Sequence, residues 1–288
     1  MAFVTLGTFM LWTGWYGFNS GSSYLYTGAG ASPRALERAA SRATINTTLG
    51  GSAAGLVALL VSSFIDGNYD LRVSCNGVLS GLATATPMCG FVEPWAAAVA
   101  GALSGASYIG LSRLLLKLRI DDPLDSAAVH LGGGALGTML LALAAKPAYV
   151  APLVPMSAKA AAAVAAGGPV ACGGLFYSPL GWLQLGMQAL AVAVASALTG
   201  GVALAVFWTL RRRGLLRVDH ATELAGIDNM DHGGPAYHPE SFAGGGGMGM
   251  GIGGQGGEGG GGGRGGGGGG GGAGHPDQGV SIDGPARH

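Results

Sequence analysis

The chain has 288 residues and a formal net charge of zero, with 49% hydrophobic and only 10% charged residues. Soluble domains are roughly a quarter charged, so this composition argues against an ordinary soluble protein. The basic residues are scattered and form no patch that could neutralise phosphates, so no nucleic-acid partner is predicted.

Long uncharged stretches predict where the chain crosses a membrane. Residues 1–33, 43–65 and 160–210 contain no charged side chain, and a spanning helix needs about 20 predominantly apolar residues. We therefore predict an all-α membrane protein, a polytopic helical bundle with about six transmembrane helices. The predicted spans are 3–24, 42–65, 73–92, 94–116, 123–145 and 179–210.

Turn and capping residues mark several boundaries of these spans. A polar loop containing Pro33 follows the first span, and an Asp-Gly-Asn turn at 66–68 ends the second. Glu93 is predicted to cap the fourth span. Asp122 is predicted as the N-cap of the fifth span, with Pro123 at its first helical position. The loop between the last two spans contains an alanine run that predicts a short surface helix.

Glycine pairs predict close packing of the helices. Glycines stand at both ends of the segments 51–55, 77–81 and 101–105, all within long uncharged stretches. Small residues at this spacing let helix backbones approach one another within a bilayer. The pattern favours a compact bundle over isolated spans.

The basic residues predict an orientation. Those at 113–119 and 211–217 flank one side of the bundle, and the positive-inside rule places that side in the cytoplasm. Arg34, Arg38 and Arg42 fall on the opposite side and oppose this assignment. We predict a cytoplasmic C-terminus on this basis.

The predicted domain organisation has three parts. Residues 1–212 form the transmembrane domain and 213–242 a cytoplasmic region. Residues 243–288 are nearly all glycine, and such a segment cannot bury enough apolar surface to offset its ordering entropy. We predict a disordered tail there.

No motif in the chain predicts an enzyme, a cofactor or a metal site. The three cysteines, at 75, 89 and 172, have no metal-binding spacing and no paired histidines nearby. No nucleophile stands at a useful spacing from a base. No basic segment precedes the first apolar stretch, so no cleaved signal peptide is expected.

Aromatic and hydroxyl side chains crowd the end of the first span. The aromatic residues are Trp12, Trp15, Tyr16 and Phe18, and the polar ones are Asn19, Ser20, Ser22 and Ser23. Aromatic faces beside hydroxyls can hold a cation. The alternative is an aromatic belt at the lipid interface, which composition alone favours.

His130 is the second candidate. An ionisable residue in a spanning helix is costly and therefore a functional candidate, and histidine titrates near neutrality. Glycines at 132–134 and 137 would let a neighbouring helix or a pore approach. The alternative is an imidazole that forms a hydrogen bond with a backbone carbonyl. The sequence does not decide between these two interpretations. Asp125 is predicted to belong to the helix cap with Asp122.

Four segments in chain order resemble the ammonium transporter family. Residues 7–22 resemble its sixth-helix signature. Residues 76–97 resemble its eighth and ninth helices, with a Val-Glu-Pro-Trp-Ala-Ala run typical of the plant-type branch. Residues 121–125 followed by His130 resemble the start of the tenth helix, and 216–237 resemble the cytoplasmic C-terminal region.

This resemblance implies specific roles. The family forms trimers of eleven-helix subunits, and this chain matches the C-terminal half, helices six to eleven plus the cytoplasmic tail. Trp15 and Ser22 match residues near the outer ammonium recruitment site. Phe18 matches one of two stacked phenylalanines that gate the pore, and His130 matches the second of the twin pore histidines. The resemblance therefore overrides the aromatic-belt interpretation.

The implied function is transport of ammonium or ammonia across a membrane. The implied location is the plasma membrane, where the chain would contact lipid. The resemblance also implies a homo- or hetero-trimer with ammonium transporter subunits. A second hypothesis is a non-conducting interaction or regulatory subunit, because half a transporter would expose polar residues to lipid.

Three positions depart from the family pattern. Leu131 stands where glycine usually follows the histidine, and a larger side chain there would narrow the pore or shift a helix. Ser20 replaces the usual proline or alanine. Met230 occupies the place of a threonine that serves as a phosphorylation switch in plant-type members, so that regulation is not expected here.

Overall fold

The computed structural model describes residues 1–25, 31–153 and 173–227, and all its regular elements in these ranges are helical. A π-helical turn, Ala127–Gly132, leads directly into the fifth α-helix. The α-helices are α1 (Ala2–Ser22), α2 (Pro33–Asp66), α3 (Leu71–Ala85), α4 (Pro94–Lys117), α5 (Gly133–Ala144), α6 (Pro147–Val150), α7 (Gly181–Arg212) and α8 (His220–Ala225).

Four helical stretches of the described chain are long and apolar enough to cross a membrane: Pro33–Asp66, Pro94–Lys117, Ala127–Ala144 and Gly181–Arg212. The helices α1 and α3 lie in two further predicted spans, but α3 has only 15 residues. The apolar helices and the lack of strands in the described ranges confirm the predicted all-α membrane class.

The second helix begins earlier than the sequence predicts. Pro33 is its first residue, where the sequence predicts a loop that continues to residue 42. The Ser32 side chain accepts a hydrogen bond from the backbone N–H of Ala35 and caps the helix. Gly67 ends the helix in the left-handed region, with φ of 71°.

The fifth span begins later than predicted. The Asp122 carboxylate accepts hydrogen bonds from the backbone N–H groups of Ser126 and Ala127, each at 2.8 Å. Asp125 adopts φ of 57°, which interrupts any helix running from residue 123. The prediction of Pro123 as the first helical residue is therefore wrong, although Asp122 does cap the turn.

Close contact between backbones holds the centre of the bundle, where α2 packs against α1, α3 and α4. A methyl group on Gly81 or Gly101 would overlap the carbonyl oxygen of Gly50, and one on Gly105 would overlap that of Ala54. The predicted glycine segments 77–81 and 101–105 thus lie at these contacts. Only glycine allows such an approach, which gives close van der Waals packing in lipid.

Buried hydroxyls join the helices that surround α2. The Oγ atoms of Ser80 and Ser104 lie 2.8 Å apart, connecting α3 to α4. Thr84 Oγ1 lies 2.8 Å from Ser104 Oγ and 2.9 Å from the carbonyl oxygen of Gly133 in α5. Hydroxyls removed from water need such partners, so this cluster sets α3, α4 and α5 in one arrangement.

The third helix stops at Ala85, well before the predicted end of its span at residue 92. Side chains of α2 satisfy the backbone that follows. Asn46 Nδ2 donates to the carbonyl oxygens of Cys89 and Val92, at 2.8 and 2.9 Å, and Arg42 Nε donates to that of Gly90 at 2.9 Å. Irregular backbone at membrane depth is tolerated where protein satisfies it in this way.

Glu93 is the N-cap residue of α4, as predicted, but its side chain makes no capping hydrogen bond. Its carboxylate instead accepts hydrogen bonds from Lys146 Nζ at 2.5 Å, the Tyr177 hydroxyl at 2.7 Å and Trp95 Nε1 at 3.3 Å. These donors, Lys146 first, lower the pKa of the Glu93 carboxyl to about 2. The cluster fastens the start of α4 to two segments that are distant in sequence.

The described part of the second compact unit, residues 218–227, contains α8. Asp219 caps this helix by accepting hydrogen bonds from the backbone N–H and the hydroxyl of Thr222, at 3.0 and 2.6 Å. These bonds lower the pKa of Asp219. The predicted alanine-rich surface helix, the 243–288 tail and Met230 lie outside the described residues.

We expect Gly105→Ala to destabilise the bundle although alanine is the better helix former. A methyl group on Gly105 overlaps the Ala54 carbonyl oxygen, and overpacking of this kind costs about 1–3 kcal/mol. Gly110→Ala is the control on the same helix, because nothing lies within 4 Å of its added methyl. Thermal unfolding in detergent measures both, and an equal or higher melting temperature for Gly105→Ala contradicts the packing described here.

We expect Glu93→Gln to lower the melting temperature near neutral pH. The folded-state pKa of Glu93 is lowered from its ordinary 4.5 to about 2. Its stabilisation is therefore complete above pH 4.5 and is lost as the pH falls through about 2. The difference between wild type and variant should shrink over that interval and vanish below it.

Glu37→Gln is the matched control for this substitution. Glu37 is exposed on α2 and forms no ion pair within the described ranges. Melting temperatures of both variants across the acid range make the comparison, and a wild-type advantage over Glu93→Gln that persists below pH 2 would refute the assignment.

Candidate functional site

Polar side chains on one face of α1 attach it to α2. The Tyr16 hydroxyl lies 2.9 Å from Thr48 Oγ1, Asn19 Nδ2 donates to Thr47 Oγ1 at 2.8 Å, and Ser20 Oγ lies 2.8 Å from Thr44 Oγ1. These residues follow helical spacing on both helices, so one face of each meets the other. Ser20, the departure from the family pattern, contributes a contact here.

The aromatic residues of α1 divide between the interior and the surface. Trp15 is half-buried, and its Nε1 donates to Thr86 Oγ1 at 2.8 Å, just past the end of α3. Phe18 is 62% exposed. Because Trp15 and Tyr16 both bond to residues of the bundle, these aromatics do not form a single belt facing lipid.

A first cavity of about 370 Å³ lies at the end of α1. Asn19 and Ser22 line it from α1, and Thr86 and Pro87 line it from the segment after α3. Ser22 donates to the carbonyl oxygen of Phe18 at 2.7 Å, which leaves the lone pairs of its hydroxyl oxygen as acceptors. The wall of this cavity can therefore accept hydrogen bonds from a small donor.

Asn19 adds a second acceptor beside Ser22. The residue is only 4% exposed, and its Oδ1 has no hydrogen-bond donor among the described residues. An unpaired buried acceptor costs free energy that a donor ligand can recover. Asn19 belongs to the polar run at the end of the first predicted span, but it was not among the predicted site residues.

A second, more open cavity of about 420 Å³ contains His130. The imidazole lies on the π-helical turn, is exposed and makes no hydrogen bond with another described residue. Within the described residues, His130 is therefore not bonded to a backbone carbonyl, which was the alternative interpretation. Leu131 is 57% exposed and lines the same cavity, so its side chain takes up space beside the imidazole.

The two cavities meet at Thr86 and Pro87, which line both. The hydrogen bond from Trp15 holds Thr86 at this junction. Ser22 and His130 thus line the two cavities that meet at the end of α3. Trp15 reaches this junction through its bond to Thr86, but neither Trp15 nor Phe18 lines either cavity. Thr86 and Pro87 were not among the residues predicted from the sequence. The one indication was a proline near the end of the third predicted span.

The π-helical turn that carries His130 is anchored by Asp125. The Asp125 carboxylate accepts hydrogen bonds from the Tyr108 hydroxyl at 2.9 Å and Ser112 Oγ at 2.6 Å, and a longer one from Asn76 Nδ2 at 3.4 Å. Tyr108 is only 2% exposed. Asp125 is therefore a junction between α3, α4 and the turn, and its prediction as part of the helix cap is wrong.

Glycines after the turn place α5 against α3. A methyl group on Gly133 would lie 2.8 Å from the carbonyl oxygen of Ser80, and one on Gly137 would overlap that of Thr84. Gly134 has open space beside it and lines the His130 cavity. The glycine-rich segment thus serves helix approach on one face and the cavity on the other.

The described residues define a helical membrane protein in which two cavities meet where α3 is interrupted. Among these residues no group of three or more His, Cys, Asp or Glu side chains could hold a metal ion. Residues 1–237 match the model of the Ammonium Transporter Family. The chain belongs to the ammonium transporter family, which confirms the resemblance inferred from its motifs.

Two curated relatives show the extent of the similarity. The chain is 36% identical over 244 residues to Ammonium transporter 3 of Dictyostelium discoideum, covering 81% of this chain and 50% of that protein. It is 35% identical over 246 residues to Ammonium transporter 1 member 2 of Oryza sativa subsp. japonica, covering 84% and 47%. The chain therefore spans about half the length of these relatives.

Solved structures give the same result. A protein described as Sensor Amt Protein superposes with a TM-score of 0.62 at 28% identity, covering 79% of this chain and 48% of that one. Saccharomyces cerevisiae Mep2 superposes with a TM-score of 0.59 at 27% identity, covering 75% and 43%.

We expect Asp125→Asn to destabilise the bundle. An amide offers one acceptor oxygen where the carboxylate offers two, so the Tyr108 or Ser112 hydroxyl loses its acceptor or must turn. A buried hydroxyl left unpaired costs about 1–3 kcal/mol. Asp121→Asn is the control, because its partner Arg217 is 65% exposed and exposed ion pairs contribute little. Equal melting temperatures for the two variants would contradict the anchoring role.

Proposed function

We propose that this chain forms part of a conduction pathway for ammonium or ammonia across a membrane. The observation that carries the proposal is the junction of the two cavities at Thr86 and Pro87, with Ser22 on one side and His130 on the other. Membership of the ammonium transporter family supports the identity of the cargo. The relatives are named as transporters, which supports a transporter rather than an enzyme.

Ammonium is recruited in the first cavity. Asn19 Oδ1 and the Ser22 hydroxyl oxygen accept hydrogen bonds from its N–H groups. The family motif assigns Trp15 to the recruitment region, and its indole lies behind the cavity wall, bonded to Thr86. The indole N–H of Trp15 is donated to Thr86 and therefore fixes one of the residues that line the cavity. These features suit a small cation that donates several hydrogen bonds.

Passage then leads from the first cavity to His130. The family motif assigns Phe18 to the gate, although its exposed side chain lines neither cavity of this chain. The substrate passes Thr86 to reach the imidazole. A neutral imidazole accepts a hydrogen bond at one nitrogen and donates at the other, so it can exchange protons or hydrogen bonds with the cargo. Leu131 narrows this second cavity beside the imidazole.

The chain works in the plasma membrane as part of a trimer of ammonium transporter subunits, with its C-terminus in the cytoplasm. The helix α7 supports the membrane placement, because none of its most apolar 18-residue window is buried within the chain. An apolar helix with so little of its surface buried needs lipid or another subunit around it. Arg211 and Arg212 at its end support the orientation. No observation on the described residues favours the non-conducting subunit.

We expect the chain to restore methylammonium uptake in cells that lack ammonium uptake, and His130→Ala to abolish it. The substitution removes the imidazole without adding bulk to the cavity. His220→Ala is the control, because His220 lies in α8, outside the apolar spans. Labelled methylammonium measures uptake, and a C-terminal tag reached by antibody only after permeabilisation tests the orientation.

Two results would contradict this proposal. One is an absence of uptake by a chain that surface labelling and native gels locate in the plasma membrane as a trimer. The other is uptake by His130→Ala equal to that of the wild type. Lost uptake in His220→Ala as well would mean that the assay reports expression rather than conduction.

A further inference from the structure

Three arginines line a third cavity, of about 410 Å³, at the start of α2. Arg34, Arg38 and Arg42 are spaced four residues apart, so their side chains lie along one face of the helix. Ser32 and Tyr149 also line the cavity. These arginines oppose the orientation that the other basic residues predict, so the positive-inside rule does not explain their position.

The cavity has a positive charge that the described protein does not neutralise. No acidic residue lines it, and neither Arg34 nor Arg38 forms an ion pair within the described ranges. Glu37 lies on the same turns of α2 but is not part of the lining. The segments 26–30 and 154–172, which adjoin the lining in sequence, contain no aspartate or glutamate.

Arg42 is held in place before any ligand arrives. Its Nε donates to the Gly90 carbonyl oxygen at 2.9 Å, and its guanidinium carbon lies 3.8 Å from the centre of the Tyr149 ring. The terminal nitrogens of Arg42 remain available as donors. Arginine matches the geometry of phosphate oxygens through two parallel N–H donors, and a pre-oriented side chain loses less entropy on binding.

The position along α2 points to the membrane interface. Residues 43–65 carry no charge, so Arg42 marks the boundary between the apolar stretch and the polar start of the helix. Lipid phosphates lie at this depth, and basic residues there attract anionic lipids. We propose that Arg34, Arg38 and Arg42 form a binding site for a phosphate group, supplied by an anionic lipid headgroup or by free phosphate.

The site lies next to the proposed ammonium entrance. Leu153 lines both the arginine cavity and the cavity that contains Ser22. Three positive charges nearby repel an approaching cation, and a bound phosphate offsets that repulsion. The inference goes beyond the proposed transport function, and binding is measured without transport.

The test uses the purified full chain in detergent. Native mass spectrometry measures binding of phosphatidylglycerol against phosphatidylcholine, and calorimetry measures binding of inorganic phosphate. We expect the wild type to prefer the phosphatidylglycerol or to bind inorganic phosphate. The double variant R34Q/R38Q should bind about 25-fold more weakly, because each basic residue near an anionic surface contributes about a factor of five and two are removed.

Two further variants serve as controls. R72Q/R119Q removes the same charge from exposed or half-exposed positions elsewhere and should bind as the wild type does. R34K/R38K keeps the charge and should retain most of the binding, which separates loss of the site from loss of the fold.

Each outcome decides the matter. Binding of phosphatidylglycerol that falls in R34Q/R38Q identifies a lipid headgroup, and binding of inorganic phosphate alone with the same sensitivity identifies the free anion. Absence of binding by either ligand overturns the proposal. So does binding by R34Q/R38Q that equals the wild type, or an equal loss in R72Q/R119Q.

Discussion

The direct contact of the α2 backbone with α3 and α4 is the constraint on which the other features depend. Within lipid there is no hydrophobic driving force between helices, so close packing and hydrogen bonds must hold them together. The glycines facing Gly50 and Ala54 allow that approach. Once α3 and α4 lie this close, the hydroxyls of Ser80, Thr84 and Ser104 come within bonding distance.

The same central helix supports the interruption of α3. Asn46 and Arg42 accommodate carbonyl groups that would otherwise face an apolar environment. That interruption creates the corner at Thr86 and Pro87 around which both cavities form. The residues proposed to handle the substrate therefore lie on α1 and on the π-helical turn, while α2 supplies the frame that positions them.

Sequence patterns predicted the features that depend on local composition. The predicted span 94–116 corresponds to α4 within one residue. The family motif singled out Trp15 and His130, whose positions near the α3 break emerge only in three dimensions. The early end of α3 was not predictable, because residues 86–92 are as apolar as a helix and their backbone is satisfied by Asn46, which is distant in sequence. Tertiary contacts of this kind override local preference.

Asp125 shows the same limit for polar residues. Its position after Asp122 and Pro123 is typical of a helix start, and nothing nearby in the chain indicates that Tyr108 and Ser112 donate to it. The role of the Glu93 side chain was missed for a similar reason, since two of its three hydrogen-bond donors come from residues 146 and 177. A carboxylate at a helix start is compatible with capping that helix and with bonding to a distant segment. Only the positions of donors that are distant in sequence distinguish the two roles.

The π-helical turn also determines how this segment can change length. Asp125 must point towards α4, whereas Gly133 and Gly137 must face α3. The wider π-helical turn accommodates an additional residue, which allows both orientations along one continuous segment. Removing one residue there would rotate everything beyond it by about 100°. A deletion or insertion in this segment would therefore force a choice between its anchor and its partner helix.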